Sequence, residues 1–187
     1  QQHDNLFAEG LDEFITKVSL FGFHFASLDI RQESRKHEAL VEEIILHKAG
    51  QPALDAYRLK GIHAKMEYLH SCYWNIDASI TTDATSTDII QSMQAIGKIQ
   101  ATNGTKACHR YVISNSRHAL DVFSILILMK WIHGHDQQNT DIVPLFESID
   151  DLGTAAEVMQ ELYSFAPYAS HLKARGQVQT VMLGFSD

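Results

Sequence analysis

The stretch Phe21-Gly-Phe-His-Phe-Ala-Ser-Leu-Asp-Ile-Arg-Gln-Glu-Ser34 is an apolar run that ends abruptly in polar residues. Short runs rich in phenylalanine and isoleucine with polar boundaries are typical of buried strands, so the change at residues 29–33 predicts the carboxyl end of a strand. Arg31 would then be a charged side chain at a strand tip. A single case would indicate an ordinary ion pair, but the pattern recurs along the chain.

Three later segments repeat this pattern of an apolar strand followed at once by polar residues. They are residues 107–115, 141–148 and 178–187, whose polar ends are Ser114 with Asn115, Glu147, and Asp187 respectively. Segments with the helical spacing of apolar residues precede and separate the strands, at residues 6–18, 40–45, 54–69, 89–99, 119–131 and 158–175. Because no hairpin signal joins the strands, the order predicts an α/β fold with a parallel sheet or barrel.

The composition indicates one well-cored domain, with residues 1–187 as a single unit of 45% hydrophobic content. The net charge of −8 argues against a nucleic-acid surface and provides no polybasic membrane patch, so small molecules or proteins are the expected partners. Cys72 and Cys108 lack C-x-x-C spacing, and no signal peptide or membrane span is visible, which favours a cytoplasmic location. The chain starts at Gln1 and stops directly after an apolar run, so we expect both termini to be cuts inside something longer.

The carboxyl ends of parallel strands emerge on one face, where such folds build their active sites. This places Arg31, the Ser114 and Asn115 pair, Glu147 and Asp187 on one rim. Two carboxylates suit a divalent cation such as magnesium, and an arginine supplies planar donors for phosphate or carboxylate. A general acid and base pair, or residues that each cap their own strand, remain alternatives.

A second candidate metal site, His133-Gly-His135-Asp136, falls in a glycine-containing loop after a helix. His-x-His can bind metal, but no third ligand lies nearby in sequence, so an ordinary loop is the better interpretation.

Three segments resemble signature motifs of phosphoenolpyruvate carboxylase, in the right order and with comparable spacing. A fourth, Tyr111-Val-Ile-Ser114 followed by Asp121-Val122, is similar to that family's strand and helix between the first two. The three signature segments are Leu28-Asp-Ile-Arg-Gln-Glu-Ser34, Val143-Pro-Leu-Phe-Glu-Ser-Ile-Asp-Asp-Leu152 and Val181-Met-Leu-Gly-Phe-Ser-Asp187.

The resemblance implies that this chain is about a fifth of a long, largely helical enzyme built around an eight-stranded barrel. The expected fold is therefore a partial, TIM-like β/α barrel with about four strands and additional helices. The family forms oxaloacetate and phosphate from phosphoenolpyruvate and bicarbonate through carboxyphosphate and a metal-stabilised enolate, with Mg²⁺ or Mn²⁺. By resemblance, Glu147 and Asp187 would be metal ligands, Arg31 a catalytic cation on the substrate side, and Leu145 and Met182 the apolar wall near the reacting carbon.

Several family features have no counterpart in this chain. The catalytic histidine would lie upstream of Gln1, and the glycine- and arginine-rich phosphate loops downstream of Asp187. Residues 51–86 match poorly, and the turn at 115–120 reads Asn-Ser-Arg-His-Ala-Leu where a small-residue, proline-containing turn is expected. We therefore expect the isolated chain to be inactive.

Two hypotheses follow from these observations. The first is a part of a phosphoenolpyruvate carboxylase, whose parent would be a cytoplasmic homotetramer, and the second is a non-catalytic, barrel-derived binding or interaction module. Because four strands cannot close a barrel of eight, we also expect the isolated chain to self-associate through its open edges.

Overall fold

The computed structural model describes residues 7–22, 24–134 and 139–184. Eight α-helices and four strands lie within these residues, and two short 3-10 turns, Ala78–Ile80 and Thr105–Ala107, flank the fifth helix. In chain order the elements are α1 (Ala8–Phe21), β1 (Asp29–Glu33), α2 (Ser34–Ala49), α3 (Gln51–Arg58), α4 (Ile62–Ser71), α5 (Ala84–Asn103), β2 (Arg110–Ser114), α6 (Ala119–His133), β3 (Asp141–Phe146), α7 (Ile149–Ser164), α8 (Ala166–Ala174) and β4 (Met182–Leu183).

The four strands form one parallel sheet in the order β1-β2-β3-β4, which confirms the predicted parallel arrangement. Each strand pairs with the next strand along the chain. The register sets Glu33 opposite Ser114 at the end of β1 and β2, and Leu145 opposite Met182 on β3 and β4. The carboxyl ends of the strands therefore emerge together along one edge of the sheet.

Helices cover one face of this sheet. Tyr111, Ile113 and Phe146 point into the core that the helices share, whereas the alternate residues on β2 and β3 form a separate small cluster: Val112, Val143 and Leu145. A doubly wound sheet has helices on both faces, and its strand order reverses at a switch point. Sequential order with helices on one face is the arrangement found in a sector of a β/α barrel, which confirms the predicted fold class.

The first strand differs from its prediction. Helix α1 continues to Phe21, and Gly22, with a φ of 49°, ends it. The residues after it are not a buried strand, since Phe25 is 80% exposed and has a φ of 62°. Strand β1 begins at Asp29, where the sequence predicted a strand to end. A barrel strand that packs against helices on one face only can carry polar residues on its other face. A continuous apolar run therefore does not indicate such a strand.

The helix predicted over residues 54–69 is two helices, α3 and α4, interrupted at residues 59–61. The predicted stop at Gly50 is confirmed, because α2 ends at Ala49 and Gly50 has a φ of 81°. Pro52 lies in the first turn of α3, where a missing backbone N–H costs nothing. Strand β4 is also shorter than predicted and covers Met182–Leu183 within the described residues.

Helix α6 forms the centre of the core. All of its residues from Ala119 to Met129 are buried, as is Trp131, so the helix has no polar face for a sequence pattern to reveal. Trp131 donates its indole N–H to the Cys72 carbonyl at 3.0 Å, and its own carbonyl accepts from the Ile76 N–H at 3.0 Å. Those two bonds attach the chain after α4 to the central helix.

Helix α1 contributes nothing to this core. None of its residues is buried, and its apolar side chains are exposed, with Leu11 at 58% and Phe14 at 63%. In the part of the chain that the structure describes, no helix combines the length and apolar character required to cross a membrane.

Candidate functional site

Glu147 lies between a buried strand end and a capped helix. Phe146, the last residue of β3, is fully buried, and Ser148 is the N-cap of α7. The Ser148 Oγ accepts from the Asp151 N–H at 3.1 Å, and the Asp151 carboxylate accepts from the Ser148 N–H at 3.3 Å. This capping box fixes the backbone around Glu147, while the Glu147 side chain remains 31% exposed. Its carboxylate is therefore well placed to meet a ligand at the rim.

Gly184 leaves the space that Glu147 occupies. The Gly184 N–H donates to the Phe146 carbonyl at 2.9 Å, which continues the pairing of β4 with β3. A Cβ atom at position 184 would lie 2.7 Å from the Glu147 Cβ and 3.5 Å from its Oε2. A residue with a side chain would thus displace Glu147. A glycine inside a strand often marks such a close approach, and this was the signal available in the sequence.

Arg31 reaches the same carboxylate from β1, which lies two strands from β3 in the sheet. It is the third residue of β1, opposite Val112, rather than the strand tip that the sequence predicted. Its Nη2 donates to the Glu147 Oε2 at 3.3 Å. The two side chains are 55% and 31% exposed, so this ion pair contributes about 1 kcal/mol or less to stability. The structure therefore brings together two charged residues that are 116 positions apart in sequence.

An apolar strip runs along the same face of the sheet below Glu147. Val112, Val143 and Leu145 are each no more than 2% exposed, and Met182 lies beside Leu145 in register. Met182 is 36% exposed and borders the open edge of the strip. Leu145 and Met182 thus lie side by side, two positions before Glu147 and Gly184 on their strands. The Glu147 carboxylate and the Arg31 guanidinium therefore lie at one end of an apolar surface.

A buried carboxylate holds the loop between β2 and α6. The Asp121 side chain, 2% exposed, accepts from the Arg117 N–H at 2.9 Å and from its Nη2 at 3.0 Å. The Arg117 Nη2 also donates to the Glu38 Oε2 at 3.0 Å. Burial opposes the charge on Arg117, but the hydrogen bonds that Arg117 donates to Asp121 and Glu38 outweigh burial and raise the pKa of Arg117. The Ser34 Oγ donates to the Asn115 carbonyl at 2.6 Å, which ties this loop to the start of α2.

The predicted Ser114 and Asn115 pair therefore has a structural partner. Ser114 ends β2 opposite Glu33, and Asn115 has a left-handed φ of 58°. These residues lie at the rim, where the backbone carbonyl of Asn115 accepts the hydrogen bond from Ser34. The ion-pair network behind them was not predicted, although an arginine and an aspartate four positions apart have a spacing at which charged side chains can pair.

Glu147 is the part of the predicted metal site that the structure describes. Asp187, the second predicted ligand, lies outside the described residues. Within residues 7–22, 24–134 and 139–184, no three histidine, cysteine or acidic side chains are grouped closely enough to hold a metal ion. A magnesium or manganese ion takes one or two protein carboxylates and completes its shell with waters and substrate oxygens. The partly exposed carboxylate of Glu147 can supply one such ligand.

His133, the first residue of the His-x-His segment, connects two helices. The His133 Nε2 donates to the Met93 carbonyl at 2.8 Å, which joins α6 to α5. His135 and Asp136 lie outside the described residues.

Comparison with known proteins shows what the chain is similar to. The family model for phosphoenolpyruvate carboxylase matches residues 1–187. A phosphoenolpyruvate carboxylase from Gloeobacter violaceus is 32% identical over 183 residues, which cover 95% of this chain and 20% of that relative. Those of Prochlorococcus marinus and Parasynechococcus marenigrum are 32% and 33% identical, over 98% and 97% of this chain and 19% of each relative. The chain spans about one fifth of the length of these curated relatives.

Proposed function

The chain belongs to the phosphoenolpyruvate carboxylase family, and we propose that it forms part of the active-site rim of such an enzyme. The observation that carries this proposal is the meeting of Arg31 and Glu147 at 3.3 Å, beside the apolar pair of Leu145 and Met182. A guanidinium that can bind an anion, a carboxylate that can bind a cation and two apolar side chains then border one small volume. A phosphorylated enol substrate requires these three kinds of contact.

The proposed parent reaction is the lyase reaction that forms oxaloacetate and phosphate from phosphoenolpyruvate and bicarbonate. It fixes carbon dioxide and supplies a four-carbon acid to the tricarboxylic acid cycle. Support comes from the family match over the whole chain and from the position of Glu147 directly after the carboxyl end of β3.

Each residue of the rim has a proposed task. Glu147, with Asp187, holds the divalent cation, and Arg31 binds the anionic group of the substrate through its planar donors. A bound Mg²⁺ or Mn²⁺ supplies positive charge that offsets the negative charge developing on the substrate oxygens. Leu145 and Met182 exclude the water that would otherwise protonate the reacting carbon.

We place the parent in the cytoplasm as a homotetramer, with residues 1–187 acting as one unit of its barrel. The free thiols of Cys72 and Cys108 suit a reducing compartment. Acidic side chains outnumber basic ones by 23 to 15, which argues against a nucleic-acid surface and favours small molecules or proteins as partners.

The isolated chain is proposed to be inactive, because it spans about one fifth of its curated relatives and the residues proposed for the rim bind and orient substrate but supply no proton-transfer group. Detection of bicarbonate-dependent oxaloacetate formation by the purified chain would overturn this part of the proposal. The competing hypothesis, a non-catalytic interaction module, predicts that Mn²⁺ binding is absent, or is unchanged when Glu147 and Asp187 are both replaced by alanine.

Mn²⁺ titration followed by electron paramagnetic resonance tests the proposed cation site. We expect Glu147→Gln to weaken Mn²⁺ binding by about tenfold or more, since it removes a charged oxygen ligand. Asp150→Asn is the matched control, because Asp150 is an exposed carboxylate three positions away and loses the same charge. Equal effects of both substitutions would indicate non-specific attraction of the cation, and the proposal would be wrong.

A further inference from the structure

An open groove of about 630 Å³ lies at the amino end of the sheet, the end opposite the proposed cation site. Its walls come from α5, from the end of α6 and from the segments that precede β2 and β3. Gln100 joins α5 to these segments, because its Nε2 donates to the Cys108 carbonyl at 2.6 Å and to the Asn139 carbonyl at 3.2 Å. Cys108 and Asn139 each lie two residues before a strand. The groove therefore lies against the start of β2 and β3.

A narrow extension of about 20 Å³ adjoins the groove and enters the core. The two cavities share Gly97, Gln100, His133 and Asn139 in their walls. Gly97 leaves space for the His133 ring, since a Cβ atom at position 97 would lie 2.8 Å from the ring Cε1. Most other walls of the extension are apolar: Ile96, Leu126, Met129 and Ile142. The volume of the extension is enough for one water molecule or one hydroxyl group.

His171, on α8, brings an unpaired nitrogen to the extension. Its side chain is 3% exposed, and its Nδ1 has no hydrogen-bond partner within the described residues. Burial, with Arg175 and Lys130 nearby, lowers the pKa of His171 to about 4, so the ring is neutral at pH 7. The backbone of Thr140 accepts a hydrogen bond from the ring, which leaves Nδ1 as the unprotonated acceptor. A buried acceptor without a partner is costly, so a donor group is expected in the extension.

The side chains of the groove determine which ligand is suitable. Gln94 and Asn139 carry amides and Thr105 carries a hydroxyl, and these groups pair with hydroxyl groups as donors or as acceptors. Among the described residues that line the groove, none is acidic and none is Phe, Tyr or Trp, which disfavours a cationic ligand and a stacked planar base. Lys98 is the one permanent charge in this set, and a single exposed lysine binds phosphate weakly. A neutral molecule with several hydroxyl groups therefore suits the groove best.

We propose that the groove and its extension form a binding site for a small neutral polyol, with one ligand hydroxyl donating to the His171 Nδ1 and the others bonded to the amides of the groove. The volume of the groove lies in the range of small-molecule sites. Active sites of β/α barrels lie at the carboxyl ends of the strands, so this site at the amino end is separate from the rim that carries Glu147. The inference does not depend on the proposed function. Because α5, α6, α8 and β3 all contribute to the walls, a bound polyol stabilises their packing.

Titration of the full chain with xylitol, followed by NMR of the histidine ring nitrogens, tests the site. We expect a saturable change in the chemical shift of the His171 Nδ1, with a dissociation constant of about 1–10 mM, because a new hydrogen bond forms at this nitrogen. An excess of inorganic phosphate should leave the titration unchanged. If xylitol leaves the Nδ1 signal unchanged, the extension holds a buried water only and the inference is wrong. Displacement of xylitol by phosphate would also overturn it, since the groove would then be an anion site.

Two pairs of variants show whether xylitol binds in this groove. We expect Gln94→Ala to weaken xylitol binding several-fold, whereas Gln91→Ala, an exposed position one turn earlier on α5, should leave it unchanged. His171→Leu removes the acceptor and should abolish binding, whereas His171→Asn keeps a polar group near the Nδ1 position and should retain part of it. If His171→Leu does not fold, the Gln94 and Gln91 pair decides. Equal effects of Gln94→Ala and Gln91→Ala would overturn the inference.

Discussion

Gly184 and Glu147 share one small volume at the ends of β4 and β3. The distance of 2.7 Å from a Cβ built on Gly184 to the Glu147 Cβ is well inside van der Waals contact, and the nearest atoms belong to the base of the side chain rather than to a flexible end. Relief would require movement of the strand or of Glu147. The position of the proposed cation ligand therefore depends on the absence of a neighbouring side chain.

Replacement of Gly184 by alanine should displace Glu147. We expect Gly184→Ala to weaken Mn²⁺ binding several-fold and to lower the free energy of unfolding by about 1–3 kcal/mol, the range for overpacking. Gly153→Ala is the control, since a Cβ at position 153 in α7 meets nothing within 4 Å. That variant should keep Mn²⁺ affinity and gain up to about 1 kcal/mol from helix propensity. A Gly184→Ala chain with unchanged Mn²⁺ affinity would contradict the close-approach argument.

Some residues at the rim could be predicted from the sequence and others could not. Arg31 and Glu147 could be predicted to converge, because polar residues that follow or interrupt apolar strands meet at one edge of a parallel sheet. Gly184 was not predicted, because a glycine in a strand indicates a close approach but not which residue approaches, and its contact with Glu147 depends on how β4 pairs with β3. Arg117 was visible in the sequence, but its pairing with Asp121 and Glu38 depends on how α2 packs beside α6.

At the level of elements, His37 connects helix α2 to the first two strands. Its Nδ1 lies 2.9 Å from the Glu33 carbonyl and its Nε2 lies 2.7 Å from the Tyr111 hydroxyl. Because a carbonyl only accepts, Nδ1 carries the proton and Nε2 accepts from Tyr111 in the neutral ring. Burial lowers the pKa of His37 to about 4 from its ordinary 6.5. Burial, with Arg175 and Lys130 nearby, likewise lowers the pKa of His171 to about 4.

These buried histidines predict acid destabilisation of the helix and sheet contact. Between the unfolded pKa of 6.5 and the folded value of about 4, the unfolded chain binds more protons, so the free energy of unfolding falls as the pH is lowered through this window. The His37 part of the loss is on the order of 3 kcal/mol. Urea unfolding at several pH values gives the dependence of the free energy of unfolding on pH. We expect this dependence to be weaker in His37→Gln than in the unmodified chain, whatever the stability of the variant at pH 7. His47→Gln is the control, since His47 is exposed on the same helix, and equal slopes in both variants would refute the assignment.

The position of the first strand was predicted wrongly, because the apolar run belongs to other elements. A run of aromatic and aliphatic residues predicts burial, but the run at residues 21–28 includes the end of α1 and an exposed turn, with Leu28 at 53% exposure. The true strand, Asp29–Glu33, places Ile30 against the helices and Arg31 on the opposite face. The strands β2 and β3 were predicted well because they are buried on both faces, where long apolar runs are a reliable signal.

For the whole molecule, two surfaces remain uncovered in the described part of the chain. The sheet has β1 and β4 at its edges, each paired with one neighbour. Helix α1 exposes an apolar side that includes Phe14 and Val18. Exposed strand edges and apolar helix faces both favour association. The expectation of self-association therefore gains a second surface that the sequence argument did not include.

Light scattering over a range of concentrations tests this expectation. We expect the chain to form oligomers at micromolar concentration, and Phe14→Glu to reduce their population by placing a charge on the apolar side of α1. Thr16→Glu adds the same charge at an exposed position of the same helix and should have little effect. A monodisperse monomer at all concentrations would contradict the prediction for both surfaces.

Paramagnetic broadening by Mn²⁺ in a two-dimensional amide NMR spectrum gives the most direct test of the proposed cation site beside Arg31. At substoichiometric Mn²⁺, we predict that amide signals of Arg31, Glu147 and Gly184 broaden first. Those of Asp29 and Arg110, at the opposite end of their strands, should broaden later, and the whole effect should disappear in Glu147→Gln. Broadening centred elsewhere, or broadening that persists in Glu147→Gln, would contradict the placement of the cation at this rim.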